Sequence, residues 1–560
     1  MYDTTRRREK AGQPLDLQAL CKKPRSGLFW VNNNYDRWTH STLDGYVEDD
    51  VATSSSYAGS PYTPTLSVPD YAYQDINGHR IIPCPRDLED FARLWVSGVS
   101  NTLSRLPSGS TVTLSWAGIG SSPTIDLFQA ADANGGIGYL TNLTTASNQI
   151  NTNLCQYVGR LGPGGSIQLN ASTFSNNWAG DHYIWCGVSS GSDQLNLTVA
   201  DGSGNTLAQS SQYIQLQDIK QMYERWTVGD APGSTPMSNA VPAEDNFSPG
   251  YPTQPFQYSY DPAIDTNDTY ILFVHGYNME NWEKDRFAET AYKRLYWQGY
   301  QGRFGSFRWP TYQHFYQYDP SETAAWNSGV GLKRLLTSLH AQYPGNVYVL
   351  GHSMGNVVTG EALRLAGTNE IVNTYVASQA AVSARAYDNA LPADLTNAFY
   401  FHVQTPDSEG HYYTNGAPSY FSSIGGAGKF ISFFNSQDWA LGKWDIDQAT
   451  KPDLLYTYVT PSLTYPSGYY YAPSPITRIS LIFTNDTYQI FSRCVQSYSF
   501  ALGAETNLVN PFPYSLCVNL QSAPYNFLST HPGHSQQFRF DNPTTAAYWK
   551  QLLSSFQIEP

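Results

Sequence analysis

The chain has 560 residues, too many for one ordinary domain, and this length predicts about two to four domains. Aromatic residues make up 14% of the sequence and charged residues another 14%, a composition typical of folded proteins and far from the disordered class. The formal net charge of -14 argues against a nucleic-acid partner, because such a partner requires a basic face.

The N-terminal sequence and the lengths of the apolar stretches give evidence on the cellular location of the protein. No stretch approaches the roughly 18 apolar residues of a membrane-spanning helix, so no transmembrane segment is predicted. The basic residues between Arg6 and Lys10 are interpreted as a solvated tail, and no apolar region follows them before Cys21, so no signal peptide is predicted. The protein is therefore cytoplasmic, or the chain begins inside a longer precursor. Few lysines and many Tyr, Asn, Ser and Gly residues lean toward an extracytoplasmic protein, and the location stays open.

Residues 1–108 are predicted to form an irregular N-terminal region with one helix. Residues 31–50 bring several oxygen-bearing side chains together, but the regular Asp-x-Asp-x-Asp-Gly spacing of a calcium loop is missing. An acidic surface loop is the preferred interpretation, and no metal site is predicted. Apolar residues at helical spacing over 88–103 predict the helix of this region.

Residues 109–217 are predicted to form a β-sandwich-like domain with a binding, spacing or display role. Short alternating strands are clearest at 111–116, 182–186 and 194–199, and turns rich in Gly, Ser and Asn separate them. A helix and a linker are predicted for residues 218–262.

The six cysteines are even in number. Cys155 and Cys186 have a plausible separation for a disulfide, and so do Cys494 and Cys517. The sequence does not decide whether either pair is bonded.

Residues 263–560 alternate between strand and helix patterns, which predicts a mostly parallel sheet with helices on both faces. The predicted elements are strands at 270–274, 307–309 and 346–350 and helices over 283–299 and 322–342. An insert is predicted at about 442–528, and either a cap over a site or an accessory sheet fits it.

The most informative motif is Gly351-His-Ser353-Met-Gly355, which follows an apolar strand and precedes a helical pattern. A turn from strand to helix this tight forces the serine into strained backbone angles, and it requires small residues two positions before and after. The context predicts a nucleophile elbow with Ser353 as the catalytic nucleophile.

The strand ending at Val274 runs into His275-Gly276-Tyr277, and this loop together with the GHSMG unit resembles the α/β-hydrolase superfamily. The resemblance is specifically to bacterial serine hydrolases of esterase or lipase type. It covers roughly residues 265–441 and the C-terminal 30 residues, and it does not cover the first 260. It implies an oxyanion hole whose backbone N–H donors come from Met354 and Tyr277. His275 and His352 are then interpreted as structural or packing residues.

The resemblance also implies a triad in the chain order serine, acid, histidine. The histidines after the serine are His402, His411, His531 and His534. His534, in the loop before a final helix predicted at 544–556, is preferred as the base, and His531 is the reserve. His402 fits a sheet-face position, and His411 fits a polar loop.

Asp438 is preferred as the acid, because it follows a buried strand pattern at 430–434, where it can accept the imidazole N–H. Asp407 is the reserve, and Asp445 and Asp447 are less favoured. The hypothesis is a serine hydrolase that cleaves small-molecule or lipid-like carboxylic esters through an acyl-enzyme, without a metal or organic cofactor. Two alternatives remain open: a surface or adhesion-type binding protein with a hydrolase-like scaffold, and an acyltransferase that uses the same triad.

Overall fold

The computed structural model describes part of the chain in detail. The described residues are 17–18, 27–32, 74, 78, 80–96, 107–132, 135–170, 182–228, 268–279, 281–311, 318–382, 384–387, 405–406, 412–413, 426–436, 438, 441, 501–504, 515–521 and 534–558. The chain divides into two compact units, one within residues 1–37, 48–222 and 541–544 and the other within residues 38–47, 223–540 and 545–560. Several predictions lie outside the described residues: the acidic stretch after residue 32, the linker after 228, Cys494, His402, His411, His531, Asp407, Asp445 and Asp447.

The described residues of the first unit form ten strands and one short α-helix. The strands are β1 (Leu17–Gln18), β2 (Leu28–Trp30), β3 (Phe91–Val96), β4 (Thr111–Trp116), β5 (Thr124–Gln129), β6 (Gln156–Leu161), β7 (Ser166–Leu169), β8 (His182–Ser189), β9 (Gly191–Ala200) and β10 (Thr206–Gln217), and the helix is α1 (Leu143–Gln149). They form two five-stranded sheets, with the orders β1-β3-β8-β5-β6 and β2-β10-β9-β4-β7. All pairs are antiparallel except β2 with β10.

Alternation along β4 shows how these sheets form. Val112, Leu114 and Trp116 are buried, whereas the residues between them are partly exposed, the pattern of a strand with one covered face. The strands predicted at 111–116, 182–186 and 194–199 are confirmed. Whether the two sheets pack as a sandwich remains a prediction.

The helix predicted over 88–103 is wrong for residues 88–96, the part of it that the structure describes. The structure has a short 3₁₀ turn at Asp87–Asp90 followed by strand β3, which pairs with β1 on one side and β8 on the other. Nearly every residue of β3 is buried, so the segment lacks the alternation of apolar and polar residues found in a strand with one exposed face. Its apolar positions therefore also match helical spacing. Strands β2 and β3 also place part of the predicted irregular region inside the two sheets.

The second unit is built around a parallel sheet. Its strands are β11 (Glu224–Thr227), β12 (Tyr270–Val274), β13 (Arg303–Arg308), β14 (Val347–His352), β15 (Val372–Ser378), β18 (Ala427–Phe434) and β19 (Ser515–Asn519), and a separate antiparallel pair joins β16 (Thr405–Pro406) and β17 (Tyr412–Tyr413). The helices are α2 (Asn281–Trp297), α3 (Tyr318–Gln342), α4 (Gly355–Ala366), α5 (Gln536–Arg539) and α6 (Asn542–Ser555).

The seven strands have the order β11-β13-β12-β14-β15-β18-β19, and every pair is parallel. All five residues of Tyr270–Val274 are fully buried, as expected for a strand covered on both faces. Parallel strands end at the same edge of a sheet, so the loops that follow β12, β14, β15, β18 and β19 meet there. The predicted α/β architecture of this unit is confirmed.

Two predictions at the borders of this unit need correction. The segment predicted as a helix at 218–226 is a 3₁₀ turn at Ile219–Gln221 followed by the edge strand β11. This strand pairs with β13, and the Tyr270 hydroxyl donates to its Glu224 carboxylate at 2.5 Å. The predicted insert is also not wholly separate, because its residues Ser515–Asn519 form strand β19 beside β18.

Two further observations concern covalent links and membranes. Cys155 and Cys186 are both buried with free thiols, so they do not form a disulfide with each other. Among the helices that the structure describes, none has the length and apolar character needed to cross a membrane.

Candidate active site

Ser353 lies in the tight turn between β14 and α4, with a φ of +54° in the left-handed region. Its N–H donates to the Ser378 carbonyl at 3.2 Å. Its own carbonyl accepts three hydrogen bonds, from the Asn356 N–H at 3.1 Å, the Asn356 side-chain amide at 2.9 Å and the Ala381 N–H at 3.1 Å. The strained backbone is therefore held from both sides, as an observed left-handed non-glycine residue requires.

Close approaches around the turn explain its glycines. A Cβ at position 351 would lie 2.4 Å from the Asn356 Oδ1 atom. One at position 355 would lie 2.4 Å from the carbonyl oxygens of both Val274 and His275. Gly276 has the same constraint from the other side, because a Cβ there would lie 2.8 Å from the Ser353 Cβ and 3.3 Å from its Oγ. The loop after β12 and the serine side chain are thus in direct apposition.

His275 supports this loop as a neutral, buried residue. Its Nδ1–H donates to the Gly276 carbonyl at 2.7 Å, and its Nε2 accepts from the Trp309 backbone N–H at 3.2 Å. The two rings are stacked at 5.3 Å, and the indole N–H donates to the His275 carbonyl. Burial, followed by the nearby Lys284 charge, holds the pKa of His275 well below its ordinary value. The ring therefore orients the loop and carries no charge at neutral pH.

The residues predicted to supply the oxyanion-hole donors are Met354, directly after the serine, and Tyr277, directly after Gly276. Met354 precedes the first residue of α4, and among the residues that the structure describes its N–H donates to no acceptor. Tyr277 follows Gly276, and the next residue, Asn278, has a φ of +59° and donates its N–H to the Thr311 hydroxyl at 2.9 Å. A helix N-terminus next to a fixed loop is a suitable environment for a developing negative charge.

Asp438 and His534 come together at the same edge of the sheet. Asp438 follows β18, and His534 lies after β19 and just before α5. The His534 Nδ1 lies 2.8 Å from the Asp438 Oδ2, and the Gln379 side-chain amide donates to that same oxygen at 2.6 Å. The Asp438 side chain is fully buried, whereas that of His534 is 15% exposed. The acid is thus enclosed, whereas the imidazole is partly exposed.

His352, the residue before the serine, also contacts His534. Its Nε2 lies 3.0 Å from the His534 carbonyl oxygen, and the two rings are 5.0 Å apart. The structure therefore brings Ser353, Gly276 and His352 together in one place and joins Asp438 to His534 beside them. Among the described residues, no group of His, Cys, Asp and Glu side chains could hold a metal ion.

Comparison with known proteins agrees with this architecture. Residues 262–383 match a family model described as an alpha/beta hydrolase of unknown function, DUF900. The second unit contains an α/β-hydrolase domain. No curated protein sequence matches the chain.

Several solved structures are similar to the chain at low identity. A Pyrococcus furiosus esterase, Pf2001, has 13% identity and a TM-score of 0.22, over 52% of this chain and 82% of that one. The esterase domain of a Rhodothermus marinus protein has 13% identity and a TM-score of 0.23, over 52% of this chain and 88% of that one. Aspergillus fumigatus lipase B has 14% identity and a TM-score of 0.20, over 37% of this chain and 49% of that one.

The α/β-hydrolase domain has two polar residues at the site that no motif indicated. Gln379, with a φ of +41°, follows β15 and donates to Asp438. Arg294, buried on α2, donates to the carbonyls of Gln537 and Phe540 and to the Thr545 hydroxyl, so it holds the segment after His534. The position of Gln379 directly after a strand was the available signal for it, and Arg294 had none.

Proposed function

We propose that this protein is a serine hydrolase that cleaves carboxylic esters, with Ser353 as nucleophile, His534 as base and Asp438 as acid. The observation that carries the proposal is the hydrogen bond between the His534 Nδ1 and the buried Asp438 carboxylate, at the sheet edge where the strained serine turn also lies. A carboxylate at Nδ1 leaves Nε2 of the neutral imidazole free of a proton, as a general base requires.

The proposed reaction has two acyl-transfer steps. The His534 Nε2 takes the Ser353 hydroxyl proton while Oγ attacks the ester carbonyl carbon, and the imidazolium then gives that proton to the departing alcohol oxygen. In the second step the imidazole takes a proton from water, whose oxygen attacks the acyl carbon, and the proton passes to Ser353 Oγ as the acid product leaves. Asp438 stays ionised and stabilises the imidazolium through the Nδ1–H bond.

The oxyanion of each tetrahedral intermediate would be stabilised by the N–H groups of Met354 and Tyr277. Support for this assignment comes from the apposition of Gly276 and Ser353, which brings the loop after β12 against the nucleophile. Donors that are fixed in advance are effective because they need no reorganisation as the charge develops.

An ester substrate, small or lipid-like, follows from the resemblance to serine hydrolases of esterase and lipase type. The proposed chemistry requires no metal or organic cofactor, because the side chains and backbone amides supply every proton transfer and charge contact it uses.

The test is labelling with a fluorophosphonate probe, followed by turnover of nitrophenyl esters of increasing acyl length. Wild type is expected to gain one probe mass and to hydrolyse the esters, whereas Ser353→Ala is expected to do neither. Ser328→Ala is the matched control, because Ser328 is a buried helix serine that donates to the Ala324 carbonyl. Unlabelled wild type would overturn the proposal. Labelling with turnover only when an alcohol acceptor is added would identify an acyltransferase.

A further inference from the structure

His352 occupies an apolar site that would not ordinarily hold an imidazole. The residue is 1% exposed and its ring packs against Phe287 and Phe538, with centroid distances of 5.9 Å and 5.1 Å. Burying a polar ring costs free energy unless its nitrogens are satisfied, and a leucine would fill the same space without that cost. The imidazole therefore needs a role beyond packing.

The polar contact of His352 defines its protonation. Its Nε2 lies 3.0 Å from the His534 carbonyl oxygen, which can only accept, so Nε2 carries the proton and donates. Burial, followed by the charge on His534, lowers the pKa of His352 to about 3, so the ring is neutral at pH 7 and Nδ1 has no proton. Within the described part of the chain, Nδ1 has no hydrogen-bond partner. Within the described residues, the hydrogen bond of the His352 ring therefore runs from its Nε2–H to the His534 carbonyl oxygen.

This bond joins two residues that are 182 positions apart in the chain. One is the direct neighbour of the serine, and the other is the proposed base. His534 is therefore anchored at two points, its side chain by Asp438 through Nδ1 and its main chain by His352 through the carbonyl. The hydrogen bond to Asp438 fixes the orientation of the His534 ring, and the hydrogen bond from His352 fixes the position of the loop that carries this ring.

We propose that His352 is a positioning residue for the base, and that its Nε2–H holds the main chain of His534 at the distance from Ser353 that proton transfer requires. The inference rests on the proposed function. His352 itself neither touches the ester nor exchanges a proton. A displacement of about 1 Å in a reacting group can cost on the order of 100-fold in rate, so its loss should reduce kcat and leave KM little changed.

Two amide variants test the proposal, because they carry the same group on side chains that differ by one methylene. In His352→Gln the amide reaches the position of Nε2 and can donate to the His534 carbonyl, whereas in His352→Asn it reaches only the position of Nδ1. His352→Asn is expected to lower kcat for a nitrophenyl ester by roughly 10- to 100-fold with KM within about twofold of wild type. His352→Gln is expected to keep kcat within about threefold.

A second measurement reports on the anchor without relying on catalysis. Amide hydrogen exchange over residues 535–540 should be faster in His352→Asn than in wild type and near wild type in His352→Gln. Phe287→Leu is the matched packing control, since it loosens the same aromatic cluster and keeps the hydrogen bond. This variant should lower the melting temperature and leave kcat within about twofold.

Equal kcat in wild type and His352→Asn would overturn the proposal, and so would unchanged exchange over 535–540 in that variant. Failure of the proposed function has a different signature. Wild type would then not react with the fluorophosphonate probe, while exchange over 535–540 would still respond to His352→Asn. That result would show that the hydrogen bond between His352 and His534 stabilises the loop, and it would overturn the role of His352 in positioning a base.

Discussion

The two halves of the candidate site are held together by different means. The elbow half, residues 351–356 with Gly276, depends on backbone geometry: a left-handed serine, a carbonyl that accepts three hydrogen bonds, and glycines at close approaches. The histidine half, formed by Asp438, Gln379 and His534, depends on side-chain hydrogen bonds between residues that are 59 and 96 positions apart.

This difference determines how each half responds to substitution. Backbone geometry at the elbow is over-determined, because hydrogen bonds with Asn356, Ser378 and Ala381 and close contacts with the loop after β12 all fix it. A single added methyl group there affects folding more than chemistry. The histidine half relies on a few long-range hydrogen bonds, so a substitution there removes chemistry and leaves most of the packing in place. Substitutions in each half should therefore produce distinguishable losses of activity and of stability.

The largest expected effect is on the histidine half. His534→Ala should lower kcat for a nitrophenyl ester by roughly 10⁶-fold, because the base that accepts the serine proton is gone, with little change in the melting temperature. Stopped assays at high enzyme concentration would measure the residual rate. His531→Ala is the matched control and should turn over at the wild-type rate. If His531→Ala is the inactive variant, the base has been assigned to the wrong histidine.

Asp438→Asn should lower kcat by roughly 10⁴-fold, somewhat less than loss of the base. The new amide would donate toward the His534 Nδ1, which turns Nδ1 into an acceptor and leaves the proton on Nε2, so the ring cannot accept the serine proton. The rate of fluorophosphonate labelling measures this loss directly, and Asp407→Asn is the control. Comparable labelling rates in wild type and Asp438→Asn would remove Asp438 from the triad.

The elbow half could be predicted from sequence because its causes are local. An apolar run, two glycines and a helical pattern, all within residues 347–366, define the strand, the turn and the helix. The same reasoning located β12 and its loop. These patterns follow from burial on both faces of a strand and from the limited space around a tight turn. They can therefore be recognised in the sequence without knowing the strand order of the sheet.

The histidine half could be predicted only in part. Asp438 and His534 were selected by chain order and by their position after a strand and before a helix, and the sequence left His531 and Asp407 as alternatives. Gln379 directly follows a strand, but its contact with Asp438 could not be predicted, because that contact depends on β15 and β18 being neighbours in the sheet. Likewise, the pairing of β18 with β19, which lies between acid and base in the chain, could not be predicted from the insert's local pattern. Local sequence periodicity does not determine which distant strands pair in the tertiary structure.

The same limit explains the two wrong secondary-structure predictions. Strand β3 and strand β11 were both assigned to helices, and both are short segments whose neighbours lie far along the chain. In a strand covered on both faces, apolar residues occur at positions that also match helical spacing, and the pairing partner decides between the two.

Substitution in the elbow half should lower the stability of the folded protein. A Cβ at position 355 has no room between the carbonyl oxygens of Val274 and His275, so Gly355→Ala should lower the free energy of unfolding by about 3 kcal/mol. Gly428→Ala is the control in the same unit, since a Cβ there would meet the flexible carboxylate of Glu370 at 2.9 Å and the Asn373 carbonyl oxygen at 3.1 Å, and its cost should stay below about 1.5 kcal/mol. Urea unfolding followed by loss of probe labelling measures both. Equal midpoints would mean that the elbow can relax, which breaks the distinction between the halves.

The smallest expected effect lies where the halves meet, at His352. Its pKa is lowered from the ordinary 6.5 to about 3 in the folded protein, so between those pH values the unfolded chain binds more protons than the folded one. The neutral buried ring is therefore fully compatible with folding above about pH 6.5, and stability falls as the pH drops below that value. From pH 7 to pH 5 this loss amounts to roughly 2 kcal/mol.

His352→Gln removes the titrating group and keeps the donor, so the decrease in unfolding free energy from pH 7 to pH 5 should shrink by about that amount. The other buried histidines that the structure describes, His182 and His275, are present in both proteins, so whatever they contribute cancels in the difference. Urea unfolding of wild type and His352→Gln at the two pH values measures the effect. Identical pH dependence in both proteins would show that the ring titrates near its ordinary pKa. In that case His352 would be solvated, and the elbow and histidine halves would not share a buried hydrogen bond.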